Sequence, residues 1–196
     1  MDLRKLISDK FEVVSKEYSL AESSDFYNNT FTYEEYLATE SYSEDEKINL
    51  YIKYMAKSTL ILKHIKTELE KIPNYEDKLV DKKILGAHIK AILDAKNVDI
   101  SNERAVEKFG FYYGWLDTTA CANNESLYTI GKSVLDKLKY FKLNDFQEDT
   151  DRLSQLAKYY DWRKLIWMRL SMLIKGVDKE KIANLVNSID VNDYDL

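Results

Sequence analysis

The residue types that could do chemistry in this 196-residue chain are two histidines, one cysteine and several groups of acids. His64 stands in Leu62-Lys63-His64-Ile65 and His88 in Gly86-Ala87-His88-Ile89. Neither belongs to His-Glu-x-x-His or Glu-x-x-His, so a zinc-protease or di-iron carboxylate site lacks its ligands, and both read as structural or solvated. Cys121 falls on an apolar helix face, a setting for packing rather than for a nucleophile. As the lone cysteine it excludes an internal disulfide and a cysteine-based metal cluster. Asp145, Glu148, Asp149 and Asp151 imitate an aspartate-rich magnesium site, but read more simply as a solvated acidic loop before a helix N-terminus. Asp190-x-Asn192-x-Tyr194 begins like an EF-hand loop and lacks its glycine and closing glutamate. No catalytic set, metal or cofactor is expected, and the chain is not expected to be an enzyme.

A different chemistry stands out near the N-terminus. Between Lys16 and Lys47 there is no Lys, Arg or His, yet there are nine acids: Glu17, Glu22, Asp25, Glu34, Glu35, Glu40, Glu44, Asp45 and Glu46. Tyr18, Tyr27, Tyr33, Tyr36 and Tyr42 are interleaved with them, as are Phe26 and Phe31. The segment carries −9 and the remainder of the chain +4, together the formal −5. One reading is a solvated loop with helix caps whose tyrosines pack on neighbouring helices. The other is a contact surface: carboxylates in a row imitate phosphates and attract a basic cleft, while tyrosines add apolar area with a polar tip. On the second reading Glu34, Glu35, Tyr36, Glu40, Tyr42, Glu44, Asp45 and Glu46 are the contact residues, with Glu148, Asp149 and Asp151 as a second group. Reversing Glu34, Glu35 and Glu40 to lysine is then expected to weaken binding without loss of helix.

The elements that position these residues read as helices nearly throughout. Five glycines and one proline are too few for sandwiches, barrels or Gly-rich phosphate loops. Leu3, Leu6, Ile7, Phe11, Val14 and Tyr18 predict a first helix of about five turns. Thr32-Tyr33-Glu34-Glu35 has the form of a capping box and predicts a short helix over Tyr33 to Thr39. Ser43-Glu44-Asp45-Glu46 repeats the form and opens a long helix with Ile48, Ile52, Met55, Thr59, Leu62, Ile65 and Leu69 on one face. Pro73 ends it at about Ile72. Further helices are predicted over Tyr75 to Lys96, from a Ser101 cap to Cys121, over Ser126 to Phe141, over Asp151 to Lys175 and after an Asp178 cap. Gly176 serves as a stop between the last two. The expected fold is all-α, a single domain over 1–196 built of antiparallel helical hairpins, about six to seven helices in all.

Tyr159-Tyr160-Asp161-Trp162-Arg163-Lys164, an apolar helix and then Leu173-Ile174-Lys175-Gly176-Val177-Asp178-Lys179-Glu180-Lys181-Ile182-Ala183-Asn184-Leu185-Val186 form a pattern that resembles immunity proteins. The helical family in question neutralises PoNe-type nuclease toxins of polymorphic toxin systems. Tyr113-Gly114-Trp115-Leu116-Asp117 and Asn124-Glu125-Ser126-Leu127 are similar to the helix that precedes that segment in the family. The likeness covers about residues 105–190, and the acidic first 50 residues fall outside it. It implies a non-enzymatic protein that binds a cognate toxin domain and blocks its active site. The expected partner is therefore a basic protein, likened to a toxin domain, with no direct nucleic-acid or membrane contact. Net charge −5 and pI near 5.2 also disfavour nucleic-acid binding. An alternative of another kind is a phage or mobile-element inhibitor that mimics nucleic acid on a host nuclease or defence complex. The opening Met1-Asp2-Leu3-Arg4-Lys5 reads as amphipathic rather than as a signal peptide. No segment reaches the ~18 apolar residues of a membrane span, and a cytoplasmic location is expected.

Overall fold

The computed structural model describes residues 1–11, 31–71, 73–74, 86–123, 125–141 and 166–193, and every regular element among them is helical. The all-α expectation holds. Within the chain two compact units form: Met1–Glu68 with Arg169–Leu196, and Leu69–Met168.

In the first unit, α1 (Leu3–Lys10) starts where the Asp2 carboxylate accepts the Arg4 and Lys5 N–H groups, two of the donors a helix start leaves unpaired. It ends at a Phe11 C-cap, short of the expected Tyr18; residues 12–30 lie outside the described ones. Leu3, Ile7 and Phe11, four apart, are buried on one face. α2 (Tyr33–Ala38) and a 3₁₀ turn (Thr39–Ser41) lead into α3 (Glu44–Glu70). The core stripe of α3 is Ile48, Tyr51, Ile52, Met55, Ala56 and Leu60, recurring at three and four residues. The helix over residues 166–173 (α8) contributes its part from Arg169 onward to this unit, and Gly176 follows it at φ +83°, a left-handed conformation that favours glycine. Asp178 then caps α9 (Lys179–Ser188) through the Glu180 N–H. The face of α9 with Ile182, Ala183 and Val186 is buried, α1 packs on this helix, and Lys10 donates to the Asn187 carbonyl in its last turn.

Tyr51 is fully buried, and its hydroxyl finds no hydrogen-bond partner among the described residues. Burial, and then the Asp2 carboxylate, push this phenol well above its ordinary range, so it stays protonated. A buried donor left unmade costs on the order of 1 kcal/mol or more. Tyr51→Phe keeps the ring and removes that cost, so it is expected to raise stability by about 1 kcal/mol in urea denaturation. A drop instead would mean that the hydroxyl is satisfied in solution.

The second unit holds α4 (Gly86–Ala95), α5 (Glu103–Tyr113), a 3₁₀ turn (Gly114–Leu116), α6 (Thr118–Ala122) and α7 (Leu127–Leu138). One continuous helix was expected from Ser101 to Cys121, and two corrections follow. The cap is Asn102, because Asp99 already accepts both the Ser101 N–H (2.9 Å) and its hydroxyl (2.7 Å). The helix also breaks at Gly114, where Asp117 opens a new one by accepting the Ala120 N–H. α7 begins at Ser126 as expected. α5 and α7 pack most extensively, burying Val106, Phe109, Phe111, Ile130, Val134, Leu135 and Leu138. Glycines let their backbones meet: a Cβ on Gly131 would lie 2.2 Å from the Val106 carbonyl oxygen, and one on Gly110 2.3 Å from that of Leu127.

Candidate interaction surface

α2 and the start of α3 are placed by side chains that complete their own backbones. Thr32 Oγ1 accepts the Glu35 N–H at 3.1 Å while Glu35 Oε2 accepts the Thr32 N–H at 2.8 Å, the reciprocal capping box expected there. Phe31, just before the cap, lies edge-on to Tyr36 with ring centroids 6.4 Å apart, a hydrophobic staple that sets how the chain turns into the helix. From α8, the buried Arg169 guanidinium donates to the Phe31 carbonyl oxygen at 3.3 Å. At the start of α3, Ser43 Oγ accepts the Glu46 N–H, and Glu46 Oε2 accepts both the Ser43 N–H (2.7 Å) and its hydroxyl (2.8 Å). Those donors, the backbone N–H first, hold the Glu46 carboxyl below its ordinary value.

The expected contact residues differ in exposure and in the contacts they make. Glu34 and Glu40 are exposed, and Tyr42 is 38% exposed. Glu35 is half-buried and engaged twice, since its Oε1 also accepts the Tyr54 hydroxyl. Tyr36 is half-buried, stacked on the buried Tyr33 ring at 6.4 Å with the planes 21° apart. Glu44 and Asp45 share Lys181 of α9 at 3.2 Å and 2.6 Å, and Glu44 Oε1 accepts the Asp178 N–H. All three ion-pair partners are exposed, so these pairs contribute little to stability. Glu46 is engaged by its cap. Glu148, Asp149 and Asp151 lie outside the described residues, as does Asp145. The surface brought together is therefore α2, the 3₁₀ turn and the first turn of α3, on which Glu34, Glu40, Tyr42, Glu44, Asp45 and Glu46 are all exposed.

Tyr54 is a member of this surface that the sequence reading missed. It sits half-buried on α3, 19 residues beyond the carboxylate it holds, and its ring lies 5.5 Å from that of Phe31. A long-range pair of this kind leaves no local pattern to read.

Elsewhere the reactive residue types are occupied structurally. Cys121 is half-buried, with Sγ 3.1 Å from the Gly114 carbonyl oxygen and 3.2 Å from Met168 Sδ. Burial and then the Asp117 charge push its thiol up to about 11, so it is not a thiolate at neutral pH. Asp190 accepts the backbone and side-chain N–H groups of Asn192 at 2.9 Å and 2.8 Å, a local turn. The side chains of His64 and His88 lie outside the described ones. Among the described residues no group of three or more His, Cys, Asp and Glu side chains is placed to hold a metal ion, and no helix is long and apolar enough to cross a membrane.

In comparisons with known proteins, no family model, no curated protein and no solved structure matches this chain.

Proposed function

We propose that this chain is a non-catalytic binding protein that neutralises a basic effector, as an immunity protein does a nuclease toxin domain, and that the surface of α2, the 3₁₀ turn and the start of α3 makes the contact. The observation that carries the reading is charge placed on a defined scaffold. Six carboxylates and no cation lie in the sequence between Phe31 and Glu46, on one capped and stapled helix, the 3₁₀ turn after it and the capped start of the next helix. Lys181 of α9 pairs only two of them, Glu44 and Asp45. Glu34 and Glu40 face solvent beside a partly exposed tyrosine, a combination that steers a basic partner and then gives it apolar area to bury. The likeness of about residues 105–190 to toxin-immunity proteins supports the choice of partner, whose DNA-binding cleft must be basic to hold phosphates.

Glu34→Lys with Glu40→Lys is the informative variant. Glu35 is left in place, because lysine there would break the capping box and strand the Tyr54 hydroxyl. The double variant is expected to keep its circular dichroism and to lose tenfold or more in association rate with a basic partner captured from the native cell, an effect that fades as salt rises. The captured protein, expressed alone, should arrest growth, and this chain should relieve the arrest. Equal capture by wild type and double variant, or a captured partner that harms nothing, would overturn the reading.

A further inference from the structure

Resting on that reading, we propose that Glu35, Tyr36 and Tyr54 form the seat for one arginine or lysine side chain of the basic partner. The three side chains are half-buried on a floor of fully packed rings, Phe31 and Tyr33, with centroid separations of 5.5 to 6.4 Å. The carboxylate is fixed rather than mobile: the Thr32 N–H holds one oxygen and the Tyr54 hydroxyl the other. A carboxylate oxygen with one hydrogen bond retains a second lone pair, so Glu35 still has room for donors from outside. Rings beside such a carboxylate suit a guanidinium or ammonium, which gains from the ring faces and from a charge-assisted hydrogen bond together.

The Tyr54 ring takes a cation in the free protein: Lys53 of the chain itself places its ammonium over it, 5.9 Å from the centroid, so a partner's arginine or lysine competes with Lys53 for this ring. The seat also needs no ordering when a partner arrives, because the capping box and the staple set it in the free protein; this lowers the entropic cost of binding. The Tyr54 phenol stays a donor to Glu35 throughout the neutral range. Burial raises it first, and then the hydrogen bond to Glu35 and the negative charge of that carboxylate.

The probe is a short acetylated Gly-Gly-Arg-Gly-Gly amide, compared with the same peptide carrying neutral citrulline, titrated into protein with labelled tyrosine rings and followed by NMR. The Tyr36 and Tyr54 ring signals should move with the arginine peptide and stay still with citrulline. Glu35→Gln preserves a capping-box side chain while removing the charge, so melting should hold while affinity falls about tenfold, the worth of a charge-assisted bond. Tyr36→Leu, which keeps apolar packing and removes the ring face, should weaken binding as well. Unmoved ring signals, or unchanged affinity in Glu35→Gln, would sink the seat. If partner capture is then still lost in the Glu34→Lys, Glu40→Lys protein, the wider surface stands without it. Ring signals that move while that double variant captures normally would keep the cation seat and remove the proposed use of the surface.

Discussion

Gly131→Ala is expected to destabilise the second unit by about 3 kcal/mol or more, the upper end of what overpacking costs, and Gly110→Ala by a similar amount. Helix propensity alone argues the other way, since alanine is favoured over glycine in a helix interior by about 1 kcal/mol. Geometry decides. The added Cβ of Gly131 would stand 2.2 Å from the Val106 carbonyl oxygen, and that of Gly110 2.3 Å from the Leu127 oxygen and 2.8 Å from the Gly131 nitrogen. Those obstacles are backbone atoms, which cannot turn aside as a side chain does. Relief requires α5 and α7 to separate, and separation loosens Val106, Phe109, Ile130 and Val134 together. Gly176→Ala is the control. Nothing lies within 4 Å of its added Cβ, so only the φ of +83° is strained, at about 1 kcal/mol. Urea denaturation of the three variants should rank Gly131 and Gly110 well above Gly176. A Gly131→Ala protein as stable as wild type would mean the two helices do not cross this closely.

What the sequence made legible was local. The Thr32–Glu35 and Ser43–Glu46 boxes, the Ser126 and Asp178 caps and the Gly176 stop each depend on atoms within a few residues, and all five are present. Features decided at a distance were not legible. The need for a glycine at the Gly114 break comes from distant residues, Ile130 and Met168, whose side-chain atoms would lie 2.6 Å and 3.1 Å from an added Cβ. A signal did exist: Gly110 and Gly114 are four apart, one face of a helix kept small for a neighbour. In the candidate surface, charge and tyrosine content identified the right stretch of chain but not the division of labour within it. Glu34 and Glu35 are adjacent in sequence and alike in type, yet one faces solvent and the other completes a cap and holds Tyr54. Glu44 and Asp45 meet Lys181 across more than 130 residues, which no window of sequence reports.

Asp117→Ala is the second large loss expected, about 3 kcal/mol for a helix cap and a buried charge-assisted bond removed together. The Asp117 residue is 3% exposed, and its carboxylate accepts the Ala120 N–H at 3.2 Å, the Ser133 hydroxyl, and the Lys137 ammonium at 2.9 Å. It thereby joins the start of α6 to two successive turns of α7. The Lys137 side chain is 53% exposed, so its pair is screened and Lys137→Gln should cost under about 1 kcal/mol. The cap and the Ser133 bond carry most of the effect. Burial works to raise the Asp117 pKa, but Ser133, Lys137 and the Ala120 N–H outweigh it and hold the carboxyl below its ordinary value. With the folded value below the unfolded one, the stabilisation is complete above pH ~4 and drains away as pH falls through the depressed folded value. Asp117→Asn removes that titration while nearly conserving shape. The stability gap between wild type and Asp117→Asn, measured in urea from pH 7 to pH 2.5, should therefore be widest near neutrality and narrow below about pH 4. A gap that stays constant across that range would show that the aspartate acts through shape alone and that its charge is not what ties α6 to α7.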